Sequence, residues 1–378
     1  MSLGGEGEAR RARVLRAVAV AGRVADSGDP LGAEARARLF EVSGLSREGI
    51  ELALSDHLET RPSAGEIDAL LEASGGGREG GREGGREGGR AGRCYVVIAA
   101  NVCTSALRAI AVGLAVSPSV VVRPSSRDPV LAEILGRELA ADEAFRAAGG
   151  SIVIEREREV RAEAGDELHV YGSDATVEAL RRSAGPGVLV RGHGTGLGIA
   201  VIGAPLELRS AARAVARDVV PFDQRGCLSP RAVLVEGDAA RALAFGRALH
   251  EELRDLSNAI PRGDLDAGAR GELALYRAAI EAVGDFMQGA DHAVGVDPAP
   301  RALLLPPAAR VVHLAPASAD TAPALIEPWA RYITAVGADD DGAVARAIRA
   351  SVPNARLSRL GDMQRPPLDG PVDRRTKS

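Results

Sequence analysis

A cysteine in the middle of the chain has the sequence context of a chemically reactive residue. Cys227 follows Gly226 within residues 221–231, between a helix-like run at 206–218 and a strand-like run at 232–235. Gly226 would let the backbone turn sharply beside a ligand, and a thiol on such a turn becomes a nucleophile when its pKa is lowered. The alternative is a small buried hydrophobic residue, the commonest state of a free cysteine. We take Cys227 as the candidate nucleophile.

Strand-like and helix-like runs alternate before this cysteine, and they must position the remaining functional residues. The apolar strand-like runs lie at 95–100, 119–123, 151–154, 168–171 and 188–191. This alternation predicts a parallel sheet covered by helices on both faces, and hence an α/β fold. The glycine-rich residues 192–198 precede another strand-like run, not a helix, so they fail the test for a dinucleotide fingerprint. We expect a hairpin-like or crossing loop whose backbone approaches another segment closely.

The first 93 residues differ in composition from the rest of the chain. Residues 1–74 are predicted to be helical, with a capping box formed by Ser63 and Glu66. Residues 75–93 repeat a Gly-Gly-Arg-Glu unit, and Ala91 is their only apolar residue. Such a segment cannot bury enough apolar surface to form a core. We interpret it as a low-complexity linker, either a solvated insertion or a charged tether for a partner.

Composition excludes several classes of function. The chain has 378 residues with 47 Lys+Arg against 52 Asp+Glu, a balance that gives no attraction to nucleic acid. The three cysteines fit neither a metal-binding spacing nor a disulfide framework, so we expect no metal and a reducing, cytoplasmic location. No apolar run is long enough to predict a membrane span.

Several separated stretches together resemble one enzyme family. These stretches are residues 99–102 with 120–125, then 171–173, then 224–231, and finally 359–364 with 366–367. Their order and spacing resemble the aldehyde dehydrogenase superfamily, and more closely its acyl-CoA reductase branch, the bacterial luciferase-linked fatty acid reductases. The resemblance covers about residues 94–378. It implies a parallel-sheet cofactor domain at 94–204 and an α/β catalytic domain at 205–345, both preceded by the helical N-terminal region. The C-terminal segment at 346–378 would pack back against the preceding domains.

The resemblance implies catalytic roles for three residues. Cys227 would be the nucleophile, and the Asn101 side-chain amide would help to form an oxyanion hole. The hydrolytic members of the superfamily carry a Glu just before a Gly-Gly pair, whereas this chain has no carboxylate in residues 191–194. Here His193 could instead protonate the departing thiolate of CoA. The alternatives are a turn residue for Asn101 and a loop histidine bonded to backbone for His193.

The resemblance also implies a cofactor site. Gly172 and Ser173 would open a helix whose N-terminus faces the pyrophosphate of a dinucleotide, unless Ser173 is an ordinary cap. Arg123 stands where the family usually has Lys near the adenosine ribose, and Ser125 belongs to the same stretch. Since Arg is a fork-shaped phosphate ligand, this difference favours NADPH over NADH, although Arg123 at a solvated strand end is an equal alternative.

We therefore expect NADPH-dependent reduction of a fatty acyl-CoA or acyl-protein thioester to an aldehyde through an acyl-Cys227 intermediate. The resemblance also implies a homo-oligomer. Two other functions stay open. One is an aldehyde or semialdehyde dehydrogenase that works in the oxidative direction, and the other is a non-catalytic relative that binds nucleotide or acyl chain.

Overall fold

The chain divides into two compact units. The computed structural model describes residues 3–75, 92–157 and 159–375. The first unit comprises Met1–Ser43, Ala53–Thr195 and Pro367–Pro371, and the second comprises Gly44–Leu52, Gly196–Pro366 and Val372–Ser378. The division falls between Thr195 and Gly196, whereas the sequence prediction placed the end of the cofactor domain at residue 204. Residues 76–91, almost the whole predicted linker, lie outside the described residues.

Helices open the chain, as the sequence predicts. They are α1 (Leu3–Ala25), α2 (Pro30–Val42), α3 (Arg47–Asp56) and α4 (Ala64–Gly75). The capping box at the start of α4 is confirmed: the Ser63 N–H donates to Glu66 Oε2 at 3.0 Å, and the Glu66 N–H donates to Ser63 Oγ at 3.2 Å. These two bonds satisfy backbone donors that the first helical turn leaves without partners.

A five-stranded parallel sheet forms the rest of the first unit. Its elements are β1 (Cys94–Val97), α5 (Ser105–Val116), β2 (Ser119–Arg123), α6 (Val130–Ala141), α7 (Glu143–Ala147), β3 (Ser151–Ile154), β4 (Glu167–Tyr171), α8 (Asp174–Ser183) and β5 (Leu189–His193). The strand order is β3-β2-β1-β4-β5, and every pairing is parallel. The order reverses between β1 and β4, and sheets of this type bind ligands at the carboxyl ends of such strands.

Alternation along β4 gives the sheet one apolar and one polar face at this strand. Leu168 and Val170 are buried in an apolar cluster that includes Val177 of α8. Successive side chains of a strand point to opposite faces, so Glu167, His169 and Tyr171 share the other face.

A seven-stranded sheet forms the core of the second unit. Its elements are β6 (Leu197–Ile202), α9 (Leu208–Val219), β7 (Pro230–Glu236), α10 (Ala239–Ala259), α11 (Ala267–Glu281), β8 (Asp285–Gln288), β9 (Ala293–Val296), β10 (Val311–Ala317), α12 (Ala322–Ile326), β11 (Ile333–Gly337), α13 (Ala343–Ser351) and β12 (Arg356–Ser358). The order is β12-β11-β6-β7-β10-β9-β8, with only the edge pair β8–β9 antiparallel.

The two faces of this sheet bury different helices, which explains its unbroken apolar strands. On β7, Val233 and Val235 pack in a cluster with α9 and α10, while Ala232 and Leu234 pack in a cluster with α12 and α13. The α/β class predicted from the sequence is confirmed. None of the described helices has the length and apolarity needed to cross a membrane.

The glycine-rich residues 192–198 form the crossing connection, one of the two alternatives that the sequence left open, because β5 and β6 belong to different sheets. One strand, β12, is not predicted from the sequence, and it pairs in parallel with β11. With three residues, an exposed Leu357 and a buried Arg356, this edge strand lacks the apolar pattern that would reveal it.

Candidate active site

Cys227 lies in a turn between α9 and β7 in the second unit, as the sequence predicts. A short 3₁₀ segment, Pro221–Gln224, follows α9 directly, and β7 begins three residues after the cysteine. Cys94 and Cys103 are buried, whereas Cys227 is partly exposed. Of the three cysteines, Cys227 is therefore the one that is not buried.

The unusual backbone of this loop is not at Gly226, contrary to the sequence expectation. The left-handed residues are Phe222, Asp223 and Gln224, with φ angles of 55°, 51° and 64°. Three consecutive non-glycine residues in this region are costly, at about 1–3 kcal/mol each. A glycine before the cysteine suggested a flexible turn, whereas the structure has a strained and buried one.

Tertiary contacts hold the left-handed residues in place. Asp223 Oδ1 lies 2.8 Å from Arg310 Nη2 in a buried ion pair. The Gln224 amide donates to Pro230 O and to Val311 O, each at 2.8 Å, and its carbonyl accepts the Val311 N–H at 2.8 Å. These bonds fix the direction in which the chain enters the Cys227 turn. Strained backbone conformations persist only where several surrounding contacts hold them in this way.

The glycine-rich connection approaches the Cys227 loop closely, as predicted. The Gly198 N–H donates to Ser229 O at 2.9 Å, and a Cβ at Gly198 would lie 2.3 Å from Leu228 O. A Cβ at Gly196 would lie 3.1 Å from the Cys227 Cβ. Both positions therefore need glycine for a packing reason and not for conformational freedom.

Thr334 on β11 contacts both the Cys227 turn and the glycine-rich connection. Its buried hydroxyl lies within hydrogen-bonding distance of Cys227 O and, at 3.1 Å, of Leu197 O. Sequence reasoning missed this residue, because a threonine inside a strand carries no distinguishing signal.

The electrostatics of Cys227 differ from the sequence expectation. Burial first, and then the Asp373 carboxylate, raise the pKa of Cys227 to about 11, and the Arg375 guanidinium opposes them. Asp373 and Arg375 form a bidentate ion pair, in which Arg375 Nε lies 2.8 Å from Asp373 Oδ1 and Arg375 Nη2 lies 2.7 Å from Asp373 Oδ2. The thiol is thus protonated at neutral pH, and any attack by its sulfur requires removal of the proton.

A buried aspartate ties a distant segment to the same loop. The Asp218 carboxylate accepts the Gly361 N–H at 2.6 Å and the Met363 N–H at 2.9 Å, and its backbone carbonyl accepts the Ser229 hydroxyl at 2.9 Å. Burial raises the pKa of Asp218 to about 7. Met363 packs on Leu228, next to the cysteine.

The other predicted site residues lie in the first unit, beyond the carboxyl ends of its strands. Asn101 follows β1, Arg123 ends β2, Ser125 follows it, and Gly172 with Ser173 connects β4 to α8. In a parallel sheet these ends share one edge. The structure directly joins two of the predicted positions, since the Gly172 N–H donates to His193 O at 3.2 Å.

The start of α8 is a helix N-terminus, a kind of backbone that can bind a phosphate. Ser173 is the N-cap, with its Oγ accepting the Thr176 N–H at 3.2 Å, and this cap leaves its cofactor role a prediction. Gly172 leaves no side chain over the first turn, and Asp174 is engaged by the Thr195 N–H at 2.8 Å. Together with the Arg123 cation at the same edge, these residues fit a nucleotide cofactor.

His193 is buried in a polar cluster that the sequence did not predict as a unit. Its Nε2 lies 3.2 Å from His169 Nδ1, and His169 Nε2 lies 2.9 Å from Glu167 Oε1. Arg191 Nε donates to the same Glu167 oxygen, and the Tyr171 ring stacks on His193 at 4.3 Å. The alternation of polar residues along β4 was the signal that could have revealed this cluster.

Comparisons with known proteins agree with this architecture. A family model described as acyl-CoA reductase (LuxC) matches residues 89–369. None of the curated protein sequences matches the chain.

Three solved structures illustrate the similarity in fold. An oxidoreductase from Marinobacter aquaeolei has a TM-score of 0.65 at 13% identity and covers 93% of this chain and 78% of its own. A NAD-dependent benzaldehyde dehydrogenase from Corynebacterium glutamicum has a TM-score of 0.62 at 18% identity, and the match covers 94% of this chain and 81% of that one. Lactaldehyde dehydrogenase from Escherichia coli has a TM-score of 0.62 at 15% identity, and the match covers 94% of this chain and 80% of that one. The fold is that of the aldehyde dehydrogenases, and the chain is an oxidoreductase that belongs to the acyl-CoA reductase (LuxC) family.

Proposed function

We propose that the protein reduces a fatty acyl thioester, such as an acyl-CoA, to the aldehyde with NADPH through an acyl-Cys227 intermediate. The observation that carries the proposal is the Cys227 turn, in which hydrogen bonds fix the backbone of the one cysteine that is not buried. The membership in the acyl-CoA reductase family supports the substrate class. An acyl-protein thioester would present the same reacting group.

The acyl transfer exchanges one thioester for another. A bond forms between Cys227 Sγ and the acyl carbon, the bond from that carbon to the CoA sulfur breaks, and the cysteine proton ends on the CoA sulfur. Because the pKa of Cys227 is raised to about 11, this proton must leave as the sulfur attacks. We assign the carriage of the proton to His193, and stabilisation of the acyl oxygen to the Asn101 amide, as the family resemblance implies.

The residues proposed to hold the cofactor are Arg123, Ser125, Gly172 and Ser173. When bound, the nicotinamide supplies the hydride that reduces the acyl group. Arg123 would bind the phosphate that distinguishes NADPH, since a guanidinium makes charge-assisted hydrogen bonds to phosphate. NADH is the alternative. We further propose that the protein is a cytoplasmic homo-oligomer. Light scattering would measure the mass of the oligomer.

The proposal is tested by the mass of the intact protein after incubation with octanoyl-CoA or palmitoyl-CoA without nucleotide. The wild type and the Cys103→Ala variant should gain one acyl group, and Cys227→Ala should gain none. An adduct that persists in Cys227→Ala would refute the assignment of the nucleophile.

The same incubation separates the alternatives. An enzyme that works in the oxidative direction would be acylated from an aldehyde with an oxidised nucleotide and not from acyl-CoA. A non-catalytic relative would bind without any gain in covalent mass.

A further inference from the structure

The polar cluster around His193 contains a continuous hydrogen-bonded path of three ionisable side chains. It runs from Glu167 Oε1 to His169 Nε2 at 2.9 Å, and from His169 Nδ1 to His193 Nε2 at 3.2 Å. His169 is 2% exposed and His193 is 5% exposed, so water cannot readily replace either contact. The proposed proton transfer uses only His193, which leaves the other two residues without a role.

The carboxylate at one end fixes the position of every proton along the path. Burial opposes ionisation of Glu167, but His169 and Arg191 outweigh it, so the pKa of Glu167 is lowered and the group only accepts. His169 Nε2 must then carry a hydrogen. In neutral His169 the other nitrogen, Nδ1, has a lone pair, and His193 Nε2 must therefore be the donor across the 3.2 Å contact.

Neighbouring groups hold this arrangement in one orientation. The Tyr171 ring stacks on His193 with an interplanar angle of 14°, which restricts rotation of the imidazole. Arg191 donates to the Glu167 oxygen that faces His169. Glu167 also lies opposite Cys94 in the β1–β4 ladder, where burial and then Glu167 itself raise the pKa of that thiol, so Cys94 stays neutral.

We propose that Glu167 and His169 are positioning residues that hold His193 with its Nε2–H directed inward, so that Nδ1 is the atom that takes up and releases the proton during acyl transfer. The catalytic half of this inference rests on the proposed function of His193. The tautomer half depends only on the contacts within the first unit.

Every proton is accounted for in this relay, which consists of Glu167, His169 and His193. Uptake of a proton at Nδ1 converts His193 to the imidazolium, whose Nε2–H donates to the lone pair of His169 and, through it, is stabilised by the Glu167 carboxylate. Release of the same proton from Nδ1 to the departing CoA sulfur restores the neutral ring. No other reactant is consumed.

The tautomer can be measured on the full-length protein by long-range ¹H–¹⁵N correlation spectra after labelling with ¹⁵N-histidine. His193 in the wild type should show a protonated Nε2 and an unprotonated Nδ1. His169→Phe keeps a ring but removes the acceptor, so both tautomers of His193 should appear. Glu167→Gln retains an acceptor oxygen without the charge and should largely preserve the wild-type pattern.

Acylation kinetics provide the functional readout. The rate of acyl-Cys227 formation should fall about tenfold or more in His169→Phe, and less in Glu167→Gln, while affinity for NADPH stays unchanged. His292→Phe is the matched control, because it removes a buried histidine from another histidine pair, His292 Nε2 to His250 Nδ1 at 3.0 Å. Its acylation rate should equal that of the wild type.

The possible failures are distinguishable. A protonated Nδ1 on wild-type His193 overturns the relay, and so does a His169→Phe variant that is acylated as fast as His292→Phe. A wild-type protein that acyl-CoA never acylates overturns the proposed function, and with it the catalytic half of the inference, while the spectra still decide the tautomer.

Discussion

At the scale of single residues, the protonation of Cys227 is the property that most constrains the chemistry. With a pKa of about 11, roughly one thiol in ten thousand is ionised at pH 7, so the unliganded protein should react slowly with alkylating reagents. The neighbouring ion pair between Asp373 and Arg375 gives a way to change this property without touching the cysteine.

Asp373→Asn should therefore accelerate alkylation of Cys227 by iodoacetamide. The substitution removes a negative charge that raises the pKa of Cys227 and leaves the opposing cation of Arg375, so the thiolate fraction at pH 8 should increase. Mass spectrometry of quenched samples gives the rate, with Asp320→Asn on an exposed loop as the control. A slower reaction, or no change, would contradict the assigned influence of Asp373.

Arg123 offers a second test at this scale. Arg123→Ala should weaken NADPH more than NADH by about 1.5–3 kcal/mol, because a charge-assisted contact to the extra phosphate is lost. Arg127→Ala, an exposed arginine four residues further along, should leave the preference unchanged. Equal losses for the two nucleotides, measured by calorimetry, would remove Arg123 from the phosphate site.

At the scale of elements, the contact between β6 and the Cys227 loop depends on the absence of a side chain. Gly198→Ala should destabilise the protein by about 1–3 kcal/mol, since its Cβ would overlap the Leu228 carbonyl. Gly271→Ala in α11 is the matched control, because nothing lies within 4 Å of its Cβ, and it should stabilise the protein by about 0.5–1 kcal/mol. Urea denaturation measures the free energy of unfolding of the two variants. A Gly198→Ala variant as stable as the wild type would show that the loop shifts easily to accommodate the added methyl group.

The attachment of residues 361–363 to α9 should depend on pH. The folded state raises the pKa of Asp218 from 3.8 to about 7, so the protonated form is favoured on folding. The stabilisation that Asp218 contributes to the free energy of unfolding is full below about pH 4 and decreases as the pH rises towards 7. Above about pH 7 this contribution no longer changes.

The free energy of unfolding of the wild type, relative to Asp218→Asn, should therefore fall between pH 4 and pH 7 by up to about 1.4 kcal/mol per pH unit. Paired denaturation curves at several pH values check this. A difference that increases with pH would mean that the two backbone donors keep the carboxylate ionised.

The same elements show what the sequence could and could not predict. The apolar strand-like runs of β4 and β7 and the position of Cys227 between helix and strand were readable, because they depend on neighbours along the chain. The left-handed residues 222–224 were not, since their conformation depends on Arg310 and Val311, far away in sequence. Likewise the Glu167–His169–His193 path depends on the register of β4 against β5. The roles of the predicted site residues stay predictions.

At the scale of the whole molecule, the proposed reaction yields an aldehyde only if the acyl-enzyme is not hydrolysed first. Residues 191–194 include no carboxylate, although hydrogen bonds connect Glu167 to His193 through His169. If the relay delivers protons to sulfur and does not activate water, the acyl-enzyme should exchange with labelled CoA and hydrolyse slowly.

A single turnover with a radiolabelled acyl-CoA and saturating NADPH should therefore yield aldehyde in nearly stoichiometric amount. The measurement is the partition of label between aldehyde and free acid, with His169→Phe run in parallel. Predominance of the acid would show that His193 acts on water, and a hydrolytic mechanism would replace the one proposed.

The bonds from Asp218 to Gly361 and Met363, which are 143 and 145 residues further along the chain, also have a consequence for biosynthesis. At a translation rate of about 5–20 residues per second, roughly 7–27 seconds separate the synthesis of Cys227 from that of the residues that pack beside it. Throughout that interval the Cys227 loop of a nascent chain lacks these contacts. Truncated products of stalled ribosomes that end before residue 361 should accordingly be unable to take up an acyl group.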